Sequence, residues 1–166
     1  RSRQIAKAIP AGGKFVEIGS WCGRSLACMS ETLKDEGKWV ELHSVDTFKG
    51  EATDEAQTEF LKENGGSVRH LFDETMREFG ASPIVHEGCS AEKVHDFEEA
   101  SIDALFIDGE HSYYAVTRDI LSYTAKVKSG GIIAGHDVDY PEIKRALADV
   151  GIRPEIVGRC WMYQKP

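Results

Sequence analysis

This chain of 166 residues is first narrowed by what it lacks. No run approaches the roughly 20 apolar residues of a membrane span, and no apolar segment has the flanks of a secretory signal, so neither a membrane partner nor export is expected. Cysteine is sparse: Cys22, Cys28, Cys89 and Cys160 form no C-x-x-C pair, and their scatter argues for free thiols in a reducing, cytoplasmic compartment. Positive charge is in deficit, with 20 Lys and Arg against 28 Asp and Glu and a net charge of −8. That balance argues against a nucleic-acid partner, which needs clustered basic residues, and leaves a small or cationic substrate open. Internal repeats, low-complexity tracts and linkers are absent, so residues 1–166 are expected to form one domain. The opening Arg1-Ser-Arg has no methionine, as expected of a processed chain or a piece of a longer one.

What is present is organised around Lys14-Phe-Val-Glu-Ile-Gly-Ser-Trp-Cys-Gly-Arg-Ser25. Phe15, Val16 and Ile18 are apolar and strand-prone, and Gly19 and Gly23 let the backbone turn where a Cβ would collide. From Ser25 a helix follows whose first free N–H groups can face a polar ligand. A dinucleotide fingerprint needs G-x-G-x-x-G, whereas this stretch reads G-x-x-x-G. Glu17, just before the first glycine, would repel a pyrophosphate and suits a cofactor carrying an ammonium or sulfonium centre.

The chain then alternates. A helix over residues 3–9 precedes the cradle, a helix runs to Lys34, and Val40 to Val45 is a strand ending at Asp46. Residues 47–66 are polar, with a helix from Glu55 to Lys62, and suit a mobile flap near a site. Helical spacing follows over residues 68–79, then a strand over 83–87 and a helix over 91–97. Residues 102–107 are an apolar strand ending at Asp108, residues 113–127 a helix closed by Ser129-Gly-Gly, and residues 131–135 a strand ending at His136-Asp137. A helix over 140–150 and a hairpin around Gly158 close the chain. An α/β fold with a largely parallel sheet follows.

In such a sheet, ligands collect beyond the carboxyl ends of the strands. The chain places Glu17 and Gly19, Asp46, Gly88 with Ser90, Asp108, and His136 with Asp137 there. Asp46 is where a carboxylate can accept from both ribose hydroxyls, and Gly88 to Ser90 is where an adenine edge can be read.

Five stretches, in order, resemble the class I S-adenosylmethionine-dependent methyltransferases: residues 16–25, Ser44-Val-Asp-Thr-Phe-Lys-Gly50, Gly88-Cys-Ser90, Leu105-Phe-Ile-Asp-Gly-Glu-His-Ser-Tyr113 and Gly130-Gly-Ile-Ile-Ala-Gly-His-Asp137. The resemblance is strongest to small-molecule O-methyltransferases of the catechol O-methyltransferase type and to bacterial methyltransferases of macrolide and aminocoumarin sugars. It implies a Rossmann-like three-layer sandwich with a C-terminal antiparallel hairpin strand. It also implies that Glu17 faces the cofactor's amino group, Gly19 and Trp21 line its methionine and ribose end, and Ser25 holds its carboxylate. Asp46 would take the ribose, although the family often carries Glu there, and Cys89 and Ser90 would border the adenine. Ser20, Gly23, Thr47 and Asp108 complete the implied cofactor set.

The same resemblance implies a divalent cation, Mg²⁺, on Asp108 and Asp137, which would lower the pKa of a substrate hydroxyl. The third family position here is Val138, which cannot coordinate, leaving His136 or Asp139 as replacements. His111 stands where the catechol enzymes carry a catalytic lysine, and its imidazole can act as base. Catalysis by His111 and Asp108 on a small-molecule hydroxyl is therefore expected. The acceptor pocket would be either open or completed by a second subunit of a homodimer or by a further N-terminal segment. N-methylation, a non-catalytic cofactor-binding domain and a dinucleotide-dependent oxidoreductase stay open as alternatives.

Overall fold

The computed structural model describes residues 2–51 and 54–166. Its centre is one seven-stranded sheet whose alternating side chains feed two cores. The strands are β1 (Lys14–Ile18), β2 (Glu41–Asp46), β3 (Ile84–Glu87), β4 (Ile102–Ile107), β5 (Val127–Gly135), β6 (Glu155–Val157) and β7 (Cys160–Gln164), in the spatial order β3-β2-β1-β4-β5-β7-β6. The first five run parallel, β7 pairs antiparallel with β5, and β6 with β7. This is the Rossmann-like sandwich with a closing hairpin that the resemblance implied.

On β1, Val16 and Ile18 face one core and Phe15 the other; on β4, Leu105 and Ile107 oppose Ala104. This period of two is what a strand buried on both faces requires. Helices α1 (Ser2–Ala8), α2 (Arg24–Asp35) and α4 (Arg69–Glu78) cover the Phe15 face with Ile5, Leu26, Met29, Phe72 and Met76. Helices α6 (Tyr113–Thr124) and α7 (Pro141–Asp149) cover the other with Val116, Ile120, Ile143 and Leu147. Phe15 is 1% exposed, and emptying a core site of that size costs about 3–5 kcal/mol. Helix α3 (Glu55–Glu63), capped by Asp54 through the Gln57 N–H at 3.0 Å, buries no residue fully and meets the Phe15-side core through half-buried Leu61. It belongs to the expected flap, of which Ala52 and Thr53 lie outside the described residues.

Two boundaries differ from the sequence expectation. The helix expected to run to Val127 stops at Thr124, and Val127 instead opens β5 opposite Ile102. Val127 is buried there, and the register shifts between Ile102 and Ala104, so Ser129-Gly-Gly sits at an irregularity within the strand. The helix expected over 91–97 is shorter: α5 (Ser90–Lys93) runs into a single 3₁₀ turn, Val94–Asp96.

Because β1 lies between β2 and β4, the chain changes direction across the sheet at β1. A crevice opens at such a switch point, beyond the strand ends.

Candidate functional site

The crevice is a cavity of about 320 Å³. Its walls are Gly19 and Trp21 after β1, Asp46 and Thr47 at β2, Gly88 to Ser90 after β3, Asp108 to His111 after β4, and Arg118 with Asp119 from α6. Gly50, Glu51 and Gln57 of the flap close one side. The expected cofactor residues Gly19, Trp21, Asp46, Thr47, Cys89, Ser90 and Asp108 thus meet at one cavity. Glu17, Ser20, Gly23 and Ser25 do not line it, and Ser20 and Gly23 close the turn beside it, the Gly23 N–H donating to the Ser20 carbonyl at 2.7 Å.

That turn depends on close backbone approach. Gly19 has φ +86°, and a Cβ there would lie 2.2 Å from the Asp108 carbonyl oxygen. Gly23, at φ +85°, caps the start of α2, and a Cβ there would lie 2.8 Å from the Met76 methyl, which would have to shift. Trp21 and Phe48 also have left-handed backbone, at φ 47° and 56°. Both donate their N–H to Asp46, Trp21 to Oδ2 and Phe48 to Oδ1, each at 2.6 Å. Strain of this kind persists where the surroundings over-determine it, and here one carboxylate organises both loops. Burial pushes the Asp46 carboxyl up, with these N–H groups pulling the other way.

Glu17 is 1% exposed and burial pushes it up to about 8, against hydrogen bonds from Ser25 and Ser20. Its Oε2 has no partner among the described residues. A buried acceptor left open beside the turn fits a cationic ligand group such as an ammonium. Ser20 is tied down by the Ser44 hydroxyl, which donates to it at 2.8 Å.

At the opposite wall, the Ser90 hydroxyl is already committed: it donates to Asp119 Oδ1 at 2.7 Å and accepts from Arg118 Nη2 at 3.0 Å. Asp119 is 3% exposed and burial pushes its carboxyl up, while no described residue donates to its Oδ2. Asp119 went unnoticed in the sequence, where an acid at an inward position of an otherwise apolar helix face was the signal.

The third wall carries the charges. His111 Nδ1 lies 2.7 Å from Glu51 Oε1 and Nε2 lies 2.7 Å from Asp137 Oδ2, while the ring stacks on Tyr140 at 5.2 Å. Burial opposes charging, but the two carboxylates raise the His111 pKa above its ordinary value. With both nitrogens facing carboxylates, the imidazolium has no free lone pair. Burial pushes Asp108 up to about 6, and the nearest imidazole nitrogen, His136 Nδ1, is 3.7 Å away. Asp137 is held below the usual range by His136 and His111 despite its burial. It also accepts from Arg159 on the turn between β6 and β7. Glu51 and Arg159 carried no sequence signal, because nothing local ties either to this wall. One ligand atom each from Asp108, His111 and Asp137 lies within 4.8 Å of the others, and His136 Nδ1 lies 3.7 Å from Asp108 and 3.1 Å from Asp137.

The sequence profile of a family described as "Methyltransferase domain" matches residues 16–138, well over half of the chain. The chain belongs to the methyltransferase domain family. The methyltransferase is similar to the uncharacterized protein R132 of Acanthamoeba polyphaga mimivirus, at 30% identity over 82% of this chain and 60% of that one. It is also similar to the uncharacterized protein y4gI of Sinorhizobium fredii, at 25% identity over 78% and 13%. It therefore spans less than two thirds of either curated relative. Among solved structures, the O-methyltransferase NovP matches with a TM-score of 0.73 at 18% identity, over 99% of this chain and 77% of that one. An rRNA methylase from Streptococcus thermophilus matches with a TM-score of 0.65 at 11% identity, over 99% and 93%. At those identities the structures establish the fold alone. Family and fold together make this a methyltransferase domain on a Rossmann-like sandwich. No helix among the described residues is long and apolar enough to cross a membrane, and no disulfide joins the four cysteines.

Proposed function

We propose that the methyltransferase moves the methyl group of S-adenosylmethionine to a hydroxyl of a small molecule, with Asp108 taking the hydroxyl proton. The observation that carries this reading is the position of Asp108, which lines the cavity between the cofactor wall and the charged wall. A carboxylate poised near 6, with no short hydrogen bond from any described residue, is suited to general-base work near neutral pH. His111, held between Glu51 and Asp137, acts as a fixed positive charge that favours the developing oxyanion.

The bound cofactor supplies an electrophilic methyl on a sulfonium centre. The chain's residues hold it and exclude water. Asp46 keeps acceptor capacity for the ribose hydroxyls beyond its two N–H bonds. Glu17 offers its open oxygen to the amino group, Ser20, Gly23 and Ser25 shape the turn beneath, and Gly19, Trp21 and Thr47 form the floor. Since Ser90 is committed to Asp119, the free oxygen of Asp119 is the acceptor for the adenine amino group, with Cys89 and Ser90 bordering the ring. The acceptor would lie over Asp108 and His111, between the flap and Tyr140. A net charge of −8 favours a small acceptor over RNA, although a methylase of this fold acts on rRNA.

Mg²⁺ has no part in this reading. The trio expected for it, Asp108, Asp137 and His136, has Asp137 accepting from His111 and Arg159, and Val138 buried at the third position.

Calorimetric titration with S-adenosylhomocysteine, with NAD as control, tests the cofactor, and Asp46→Ala should weaken binding roughly 10- to 100-fold, the worth of charge-assisted hydrogen bonds. Transfer of labelled methyl to a panel of hydroxylated and amine acceptors tests the direction. Transfer to amines alone would overturn the hydroxyl assignment, and binding of NAD in place of S-adenosylhomocysteine would contradict the cofactor.

A further inference from the structure

We propose that Arg159 fills the place of a divalent cation at the acceptor wall, so that the methyltransferase carries a built-in cation there instead of a bound metal ion. The carboxylates that a cation could recruit after β5 are Asp137 and Asp139, and one guanidinium bridges both. Nη2 donates to Asp137 Oδ1, and Nε donates to Asp139 Oδ1 at 3.0 Å. The other oxygen of Asp137 accepts from His111 Nε2 at 2.7 Å, and His136 Nδ1 lies 3.1 Å from Oδ1.

Backbone geometry fixes the arrangement. Between the two acids, the N–H of Val138 donates to the Arg159 carbonyl oxygen at 3.0 Å, while the Val138 side chain is buried in the core beneath. The β6–β7 turn is therefore pinned over the end of β5, with its guanidinium aimed at the acids. Asp137 itself has φ 56°, a left-handed conformation that presents its carboxylate to this ring of donors. A hard divalent ion needs several oxygens with free lone pairs, and the planar fork of an arginine satisfies paired carboxylates without one. Arg159 is then a positioning residue. It holds Asp137 against His111, and so holds His111 beside Asp108. The metal statement stands by itself, and only this catalytic consequence rests on the function proposed above.

The test is titration of the whole chain with Mn²⁺, read by the electron paramagnetic resonance of free Mn²⁺. The wild type should leave the ion free up to about 1 mM. Arg159→Met, which releases both acids, should gain at least tenfold in affinity, and adding Asp137→Asn should abolish the gain. Arg159→Lys should gain less than Arg159→Met. Arg159→Gln, which keeps an amide donor, serves if the methionine variant melts early. Wild-type binding tighter than about 100 μM that Asp137→Asn removes would overturn the inference. A folded Arg159→Met or Arg159→Gln variant as silent as the wild type would overturn it too. S-adenosylhomocysteine binding is measured on the same samples. Its absence in the wild type would sink the cofactor reading and leave the metal result untouched.

Discussion

The cofactor wall and the acceptor wall of the cavity are built in different ways. Around Asp46 the donors are backbone N–H groups of Trp21 and Phe48, fixed by β1, β2 and the turns that leave them. Around Asp137 the donors are side chains of His111, His136 and Arg159, brought from three separate segments. Backbone donors survive any substitution at their own positions except proline, whereas a side-chain ring can be rewired one residue at a time. A constant cofactor suits the first construction, and a variable acceptor suits the second.

The sharpest contrast should come from Asp108, which stands between the two walls. Asp108→Asn is expected to lower kcat by roughly 10²- to 10⁴-fold, the usual worth of a general base, while S-adenosylhomocysteine affinity stays close to wild type. If His111→Asn gave the larger loss and Asp108→Asn a small one, the base would lie in the charged ring instead. Next in size is the adenine contact. Asp119→Asn, with Ser90 still in place, should weaken S-adenosylhomocysteine by about tenfold and S-inosylhomocysteine, which lacks the amino group, far less. Equal weakening of both ligands in calorimetry would make Asp119 a support for Ser90 alone.

Glu17 separates the walls by pH. Burial pushes its pKa from 4.5 up to about 8 in the folded chain. Between those values the native state keeps a proton that the unfolded state has released, so stability from this group falls as pH rises through the window. Urea denaturation at pH 6 and pH 8.5 should show that slope, and Glu17→Gln should flatten it. Binding of a cofactor ammonium should also expel the Glu17 proton near pH 7, making the calorimetric enthalpy depend on the buffer. The smallest effect is expected at the flap. Glu51→Gln keeps an acceptor for the His111 N–H but loses the charge, and should raise the acceptor KM by roughly two- to fivefold, as a single exposed-to-half-buried ion pair allows.

The legible parts of this chain were those whose information is local. Phe15, Val16 and Ile18 before two glycines announce a strand and a tight turn, and Asp46 and Asp108 at the ends of apolar runs announce strand ends, because alternation and turn chemistry act over a few residues. Val127 was misread because its helical spacing with Ile120 is as good as its fit to a strand. Only pairing with Ile102, far away in sequence, decided between them. The same limit hid the commitment of Ser90 to Asp119 and the double pairing of His111 with Glu51 and Asp137.

The amino-acid sequence by itself determined the alternating α/β plan, the glycine turn and the acids that end the strands, since propensity, period and backbone sterics are properties of neighbouring residues. Tertiary structure alone decided the protonation and pairing of those acids. Burial and charge act through space, and the partners of Asp137 and Asp119 are set by which segments the sheet brings together. Arg159 is the clearest case, 22 residues beyond Asp137 in sequence and in direct contact with it in the fold.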